Sequence, residues 1–389
     1  MSRTAPSFRT FSKYLAAFSA GVLATVLVGA ADPYAGLDLF ARVLTDIDTK
    51  YERPIPLENV VHAALGGVAK VLDEHSEFYP PDAWAAIGRR EDTAPLGIGA
   101  TLVSDTCGLR IERLEPWGPA EDNGLLPGDC ILAMDGLPLP SPALTTALDA
   151  PPHTVARLRV RRGDTEREVV IMRARPKEPA LRVEDLPRGT VYARVAHFGD
   201  RVAAPLAAAV ATRGGVRGMV LDLRANPGGQ VEEAAALCDL FVSRGTLVTT
   251  RTRVAGETVL VATPSRADWT FPLAILVDEE TASAAEIVAG ALHDLGRATL
   301  VGTRTYGKGT VQRLFQYEDG SALKLTVGRY FLPLGQPIQD HQGIEPEVRV
   351  TRPLGADGHP SLLDFHTPAS KRTDPELAAA LLALGTPPR

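Results

Sequence analysis

The sequence predicts an α/β protein in which a β-rich domain interrupts a mixed core of helices and strands. Three observations lead to this fold class. Residues 37–72, within an N-terminal helical segment 37–92, show helical periodicity, residues 95–176 consist of short β-like runs punctuated by glycine, and residues 178–350 alternate strand-like with helical runs. Such alternation is typical of a sheet covered by helices. With 389 residues, the chain is long enough for two or more domains.

Near the N-terminus, a short basic segment precedes an uncharged apolar run. Arg3, Arg9 and Lys13 come before residues 14–31, which carry no charge and end in small residues. This order predicts an export signal within residues 1–31. The apolar run of 18 residues also reaches the lower limit for a membrane-spanning helix, so an uncleaved anchor in the inner membrane is the alternative. Either outcome exports the remainder to the periplasm or cell envelope.

Two helices are expected in the helical segment 37–92, on either side of the sequence Pro54-Ile55-Pro56. Their apolar stripes recur at helical spacing. The first stripe is Leu37, Phe40, Val43, Leu44 and Ile47, and the second is Val60, Val61, Ala64, Leu65, Val68 and Leu72. At the other end, residues 351–389 form a proline- and charge-rich tail with a short helix expected at 374–385.

Composition and cysteine spacing argue against two classes of function. The formal net charge is −6, with 41 basic against 47 acidic residues, so a nucleic-acid partner is not indicated. Cys107, Cys130 and Cys238 show neither CxxC nor Cys/His ligand spacing, and no metal or other cofactor is expected. Because an odd number of cysteines cannot pair completely, we interpret all three as small buried apolar residues.

Residues 95–176 carry motifs of a peptide-binding domain. LGIGATLV at 96–103 and GPAEDNGLLPGDCILAMDG at 118–136 together resemble a PDZ domain. Closely spaced glycines let backbone N–H groups converge on a terminal carboxylate, while the adjoining strand edge pairs with the incoming peptide. A β-turn would explain the glycines alone. By resemblance, the carboxylate-binding loop consists of Leu96, Gly97, Ile98 and Gly99.

Ser283 stands where an apolar strand-like run gives way to a helical pattern. Its hydroxyl is a weak nucleophile until a neighbouring base takes its proton. His293 with Asp294 offers an imidazole, but it lies about 15 Å further along the same helix, at 1.5 Å per residue, which is too far. Glu286 lies in the first turn, where a favourable charge at the helix N-terminus or a partner of the cap is the simpler interpretation.

Lys308, in the sequence TYGKGTVQ at 305–312, is the base that we favour. Glycines on both sides leave room for a long amine to enter a tight site. An ordinary lysine is protonated and cannot act as a base, but burial beside apolar groups favours the neutral amine. Lys308, Thr310 and Gln312 would share one face of an extended segment, which would let Gln312 orient the amine. A solvated lysine in a glycine-rich turn is the alternative.

An acyl-transfer site also needs N–H donors aimed at the developing oxyanion. Residues 221–237 supply a strand, an Asn-Pro turn, two glycines and a helix. The N–H groups of Gly228 and Gly229 are therefore expected to stand free at a helix start. The N–H of Ala284, next to the nucleophile, is the natural second donor. Each feature alone fits a helix-entry turn or a serine N-cap, and only their combination favours a catalytic site.

Five motifs between about residues 37 and 350 occur in the order found in the C-terminal processing peptidases, or tail-specific proteases, which the chain resembles. These motifs are LDEHSEFYPPD at 72–82, the PDZ signature, VLDLRANPGG at 220–229, and the stretches 281–312 and 321–348. The family consists of Ser/Lys endopeptidases with an inserted PDZ domain. The resemblance implies a crotonase-like α/β core.

The resemblance also implies a role for each site residue. Ser283 would be the nucleophile, Lys308 the general base and Gln312 the residue that orients it, while Gly229 and Ala284 would form the oxyanion hole. Many members carry a serine where this chain has Ala285. We expect a small consequence, because Ser283 is retained.

The sequence therefore predicts an exported serine endopeptidase that recognises accessible C-termini of envelope proteins through its PDZ domain and cleaves those proteins. An adaptor lipoprotein that delivers substrates and membrane association through residues 14–31 are left open. One alternative is a non-catalytic PDZ scaffold, which would need a broken site. Another is an enzyme acting on a thioester, against which the Ser/Lys pair and the peptide-binding insert argue.

Overall fold

The structure, a computed structural model, divides the chain into residues 1–72 and residues 73–389. Leu96 and the apolar run 14–31 lie outside the residues that it describes. Within the described residues, no helix combines the length and apolar character needed to cross a bilayer. The described residues are 35–93, 97–139, 154–174, 177–199, 201–263, 269–353 and 363–385.

The first unit contributes two helices, α1 (Ala35–Lys50) and α2 (Leu57–Leu72). They are separated at the Pro54-Ile55-Pro56 sequence, as the periodicity predicts, because proline lacks the N–H that a helix interior requires.

The second unit contains every further described element. In chain order these are β1 (Glu77–Tyr79), α3 (Pro81–Thr93), β2 (Ala100–Asp105), β3 (Gly108–Leu114), α4 (Pro119–Asp122), β4 (Cys130–Met134), β5 (Leu137–Pro138), β6 (Val155–Arg162), β7 (Thr165–Met172), β8 (Leu181–Leu186), β9 (Thr190–Val195), α5 (Ala203–Ala211), β10 (Gly218–Asp222), α6 (Val231–Cys238), β11 (Thr246–Thr252), β12 (Gly256–Val261), β13 (Leu273–Val277), α7 (Ala284–Asp294), β14 (Thr299–Gly302), β15 (Thr310–Gln316), β16 (Ala322–Phe331), β17 (Val348–Arg349) and α8 (Pro375–Ala383).

The central sheet has the strand order β17-β14-β13-β10-β9-β8, and all of its neighbours are parallel except β8 and β9. Alternate residues of each strand face opposite sides of the sheet. Leu221 and Ile275 lie in the core cluster that also holds apolar residues of α5, α6 and α7, whereas Val220 and Ala274 lie in the cluster that holds residues of α8. Helices therefore cover both faces of the sheet.

A second, antiparallel sheet has the order β1-β16-β11-β12, with β15 also paired to β16. Glu77–Tyr79 lies inside the stretch that sequence periodicity assigns to a helical segment, yet it pairs with residues 322–324. Tertiary pairing overrides the local pattern here. The chain just before β1 is fixed to the same sheet, because Thr326 donates its hydroxyl to Asp73 and its N–H to the Ser76 hydroxyl.

Residues 97–139 and 154–174, which we call the inserted domain, form an antiparallel sheet of order β2-β3-β4-β6-β7, with β5 beside β4. The interpretation of all three cysteines as small buried apolar residues is wrong for two of them. Cys107 and Cys130 form a disulfide, with Cα atoms 6.2 Å apart. Since β3 pairs with both β2 and β4, the β2–β3 turn lies beside the first residue of β4. Cys238 is free and buried, and burial raises the pKa of its thiol.

Candidate active site

Three loops meet at one edge of the central sheet. They follow the carboxyl ends of β10, β13 and β14, which are parallel neighbours, so the loops lie side by side. These loops carry Gly229, Ser283 and Lys308. A cleft of about 560 Å³ is lined by residues of all three loops and by one residue preceding β1: His75, Ala225, Pro227, Glu279, Glu280, Ala282, Tyr306 and Lys308.

Ser283 occupies a strained position between β13 and α7. Its backbone has φ 57° and ψ −118°, in a region that residues with a side chain seldom adopt. Strain of this kind costs about 1–3 kcal/mol and persists only where the surroundings enforce it. Here the two preceding residues are fixed by hydrogen bonds to the loop after β10. Ala282 donates its N–H to Asn226 O (2.9 Å), and Thr281 donates its hydroxyl to Leu223 O (2.9 Å). The serine side chain is left half-buried at the start of the helix.

Glu286 connects the loop of Ser283 to the loop of Lys308. Its side chain is 0% exposed, and its Oε2 accepts the N–H groups of Ser283 (2.9 Å) and Lys308 (2.8 Å). Its Oε1 accepts the Thr305 hydroxyl (2.6 Å) and the Gly307 N–H (2.8 Å). The predicted role at the helix start is therefore present, but the sequence did not indicate that the same carboxylate also shapes the loop of Lys308.

Lys308 lies in the loop between β14 and β15. The N–H of Tyr306 donates to Thr281 O (3.0 Å), so this loop runs against the residues that precede Ser283. Lys308 is half-buried and lines the cleft. Within the described part of the chain its amine forms no ion pair, and the hydrogen bond of this residue is that of its backbone N–H to Glu286.

The glycine turn beside Ser283 differs in one respect from expectation. The N–H of Gly228 is not free, because it donates to Asn226 Oδ1 (2.8 Å). Phe198 bonds instead to the residues on either side of Gly229, donating to Gly228 O and accepting from Gln230 N (both 2.8 Å). The Gly229 N–H therefore points away from Phe198. Among the described residues it has no acceptor, and neither has the N–H of Ala284.

Gly228 makes the close approach between this turn and the nucleophile possible. Its φ is 100°, and a Cβ there would lie 2.8 Å from Ser283 Cβ and 2.9 Å from Ala284 N. Only glycine adopts this conformation without cost, and no other residue would fit the space. The role of Gly228 is thus to leave room for this close approach, and its N–H is not available as an oxyanion donor.

Gln312 lies near the start of β15, and its side-chain amide donates to the Thr310 hydroxyl (2.7 Å), with a longer contact to the Thr326 hydroxyl (3.5 Å). The expected common face is therefore present for Thr310 and Gln312. Lys308 precedes the strand, which begins at Thr310. No hydrogen bond joins Gln312 to Lys308 among the residues that the structure describes, so the orienting role of Gln312 stays a prediction.

The predicted carboxylate loop lies at the start of the inserted domain. Ile98 is 1% exposed, its carbonyl accepts the N–H of Ala120 (2.8 Å), and the Gly99 carbonyl accepts the N–H of Glu115 (3.0 Å). The loop leads into β2, which is an edge strand of its sheet. An edge strand offers unpaired N–H and C=O groups to an extended peptide.

A buried charged cluster precedes the glycine turn, and sequence reasoning did not identify it. Asp222 and Arg224 are both 0% exposed and form a bidentate pair. Burial alone would raise the pKa of Asp222, but Arg224, then Arg194 and Tyr192, hold it at about 2. The DLR sequence at 222–224 is the only local signal, since the other members of the cluster lie far along the chain.

No group of three or more His, Cys, Asp or Glu side chains with the spacing of a metal site occurs in the described ranges.

Comparisons with known proteins agree on one family. The sequence profile of peptidase family S41 matches residues 189–350. The carboxy-terminal-processing protease of Bartonella bacilliformis is 32% identical over 337 residues, covering 82% of this chain and 76% of that protein. The carboxy-terminal processing protease CtpA of Bacillus subtilis is 28% identical, covering 81% and 69%. A solved structure of the photosystem II D1 C-terminal processing protease is similar, with TM-score 0.52 and 28% identity, covering 81% of this chain and 89% of that chain.

Proposed function

This chain belongs to the carboxy-terminal processing proteases of peptidase family S41, and on that premise we propose that it hydrolyses peptide bonds with Ser283 as nucleophile and Lys308 as general base. The observation that carries this proposal is the buried Glu286 carboxylate, which binds the backbone of both residues with one oxygen. The two loops are thereby held side by side. The lysine amine has no acidic partner among the described residues, and two N–H groups beside the serine are free.

Catalysis begins when the neutral amine of Lys308 accepts the hydroxyl proton of Ser283 while Oγ bonds to the substrate carbonyl carbon. The N–H groups of Gly229 and Ala284 stabilise the oxyanion that forms. The Lys308 ammonium then gives its proton to the leaving amine, and the C–N bond breaks to leave an acyl-enzyme. Lys308 next deprotonates a water molecule, which attacks the ester. The proton returns to Ser283 Oγ as the new carboxyl terminus is released.

We assign Gln312 to the orientation of the amine, because its strand follows the lysine loop directly and its amide is already fixed by Thr310. The core is assigned to the crotonase-like type, which is supported by the parallel strands β9, β10, β13 and β14 with helices on both faces.

The inserted domain is proposed to be a PDZ domain that binds the C-terminal region of protein substrates. Support comes from the buried, hydrogen-bonded position of Ile98 within the loop 97–99 and from the edge position of β2 immediately after it. A peptide added along β2 would end at this loop, where backbone N–H groups can receive its carboxylate.

Export from the cytoplasm is proposed from two independent observations. The basic segment and apolar run at residues 1–31 have the order of a secretion signal. Cys107 and Cys130 form a disulfide, and disulfides form and persist in oxidising compartments outside the cytoplasm.

The proposal is tested by cleavage assays on casein and on a protein carrying an apolar C-terminal tag. Ser283→Ala and Lys308→Met should each lose cleavage by about 10³-fold or more while the thermal transition is retained. Ser243→Ala and Lys70→Ala, at exposed positions, are the matched controls and should retain activity. Full activity in Lys308→Met would reject the dyad. A wild-type protein that binds the tag without cleaving any substrate would favour the scaffold instead.

A further inference from the structure

The segment after β17 crosses from the inserted domain to the glycine turn of the active site. We define residues 363–376 as the strap. At one end, Glu121 of the inserted domain contacts the His366 ring of the strap, and Trp117 makes an edge-to-face contact with the same ring, with centroids 5.9 Å apart. At the other end the strap enters helix α8 through Asp374, whose carboxylate accepts the Leu377 N–H (2.9 Å).

The strap supplies two of the three carboxylates that hold Arg224. Asp374 accepts from Nη1 (3.0 Å) and Nη2 (2.8 Å), and Glu376 accepts from Nη1 (2.6 Å). Asp222 accepts from Nε (2.9 Å) and Nη2 (2.6 Å). A guanidinium has five N–H donors, and all of them are used in this arrangement. The orientation of Arg224 is therefore fully determined, with three of its five hydrogen bonds provided by the strap.

The strap also covers the second arginine of the cluster. The ring of Phe365 lies over the Arg194 guanidinium, 3.3 Å from its centre. Arg194 Nη1 donates to the backbone carbonyl of Arg224 (2.7 Å). Both the side chain and the backbone of Arg224 are thus fixed by groups that the strap contacts.

Arg224 leads directly into the glycine turn, and the residues after it have hydrogen bonds of their own. The next residue, Ala225, has φ 51° and donates its N–H to Asp278 (2.8 Å). Asn226, Gly228 and Gly229 follow within five residues of Arg224. The Arg224 backbone is therefore one of the anchors that set the path of the turn towards Gly229, together with the hydrogen bonds of Ala225 to Asp278 and of Asn226 to Val195 O.

Stability alone does not account for this cluster. Arg224, Asp222 and Glu376 are each 0% exposed. Taking three or more charges out of water costs several kcal/mol per ion, and apolar replacements of such clusters are often equally stable. What the cluster does provide is one fixed orientation of the Arg224 side chain.

We propose that Asp374 and Glu376 are positioning residues for the oxyanion hole, acting through Arg224 on the N–H of Gly229. This inference rests on the proposed function and assigns a catalytic consequence to the strap.

The test compares Glu376→Gln and Asp374→Asn with the wild-type protein. Each substitution keeps the side-chain shape and removes one charge. We expect kcat to fall about tenfold or more while KM changes less than about threefold, because a displaced oxyanion donor acts on the transition state. Asp364→Asn is the matched control, since this exposed carboxylate bonds within the strap to the N–H of His366 and to Thr367. It should leave kcat unchanged.

A second measurement separates positioning from a purely structural role. The Ser283 hydroxyl adds to a peptide aldehyde to give a tetrahedral analogue of the oxyanion intermediate. In the variants, the affinity for this aldehyde should fall by the same factor as kcat/KM. A structural role would reduce activity only in proportion to the unfolded fraction, which circular dichroism measures. Wild-type kcat and aldehyde affinity in the folded Glu376→Gln protein would overturn the proposal.

Two further variants keep the outcome interpretable. If Glu376→Gln does not fold, Glu376→Asp retains the charge and withdraws the carboxylate by one methylene, with the same expected loss and the same overturning result. Ser283→Ala reports on the proposed function independently. An active Ser283→Ala protein would refute the dyad, whereas an inactive one beside a fully active Glu376 variant would refute the positioning role alone.

Discussion

The backbone N–H groups of Ser283 and Lys308 donate to the same atom, Oε2 of Glu286, at 2.9 and 2.8 Å. The backbones of Ser283 and Lys308, the proposed nucleophile and base, are therefore held to one carboxylate, although the two residues are 25 positions apart in sequence. This arrangement is a form of preorganisation, in which the cost of bringing the two groups together is met during folding.

Glu286→Gln should damage both activity and stability. The introduced NH₂ group would face N–H donors, leaving at least one buried donor without an acceptor, which costs about 1–3 kcal/mol or more. We expect kcat to fall at least about tenfold, because the two loops lose their common anchor. Urea unfolding and steady-state kinetics measure the two effects, with Glu318→Gln at an exposed position as control. An unchanged kcat would show that the shared carboxylate has no catalytic consequence.

Gly228→Ala should strongly reduce cleavage because the added methyl group would clash with the Ser283 loop, and not because of backbone strain. Its Cβ would meet Ser283 Cβ and Ala282 O, both at 2.8 Å. We expect a loss in kcat of about 10²-fold or more, comparable with removal of an oxyanion donor. Gly335→Ala is the matched control, because Gly335 also has a positive φ (83°) but nothing lies within 4 Å of its added Cβ. Similar losses in both variants would assign the effect to strain.

His293 should influence stability but not catalysis. The hydrogen bond to Asp294 raises the pKa of His293, and Glu347 adds to this effect while burial opposes it. A raised histidine pKa gives stabilisation that is full below the unfolded value and is lost as pH rises through the folded value. From pH 5.5 to 8, wild type should therefore lose about 0.5–1 kcal/mol relative to His293→Gln, a small figure because the pair is partly solvated.

The experiment compares urea unfolding of the two proteins at both pH values, together with kcat. The kinetics should be unchanged, since the imidazole lies along α7 away from Ser283. A large loss of kcat in His293→Gln would instead indicate that the imidazole participates.

Loss of the disulfide should weaken the inserted domain and spare the core. Closing the loop between Cys107 and Cys130 stabilises that domain by about 3 kcal/mol in the chain-entropy treatment. In Cys107→Ser/Cys130→Ser, we expect an earlier thermal transition of this domain, with cleavage of short peptides retained and cleavage of C-terminally tagged proteins reduced. Reductant should reproduce the effect in wild type and do nothing to the double variant. A reductant effect in the double variant would point to another target.

The sequence predictions of Ser283 and Lys308 as site residues rest on local signals, and the structure places the two residues on neighbouring loops. For Ser283 the signal is the change between strand and helix periods, and for Lys308 it is the flanking glycines. Both signals lie within a few residues of the group concerned. The proline-separated helices before residue 73 are likewise encoded by adjacent residues, so they could be read without tertiary information.

The features that were missed depend on residues distant in sequence. The Gly228 N–H was expected to be free, but the side chain of Asn226 turns back to it, a choice that the NPGG sequence alone does not specify. The Cys107–Cys130 pair depends on the pairing of three strands. The partners of Arg224 could not be inferred from the DLR sequence, since burial of charge is decided by the whole fold.

Arg224 and the carboxylates that clamp it from the strap are 150 and 152 residues apart in sequence. At roughly 5–20 residues per second, a ribosome needs about 8–30 s to travel that distance. Ser283 and Lys308 are made during this interval, yet until it ends Asp222 is the only one of the three carboxylates around Arg224 that exists. Under the positioning role that we propose for the strap, the site is therefore completed only when residues 374–376 have been made.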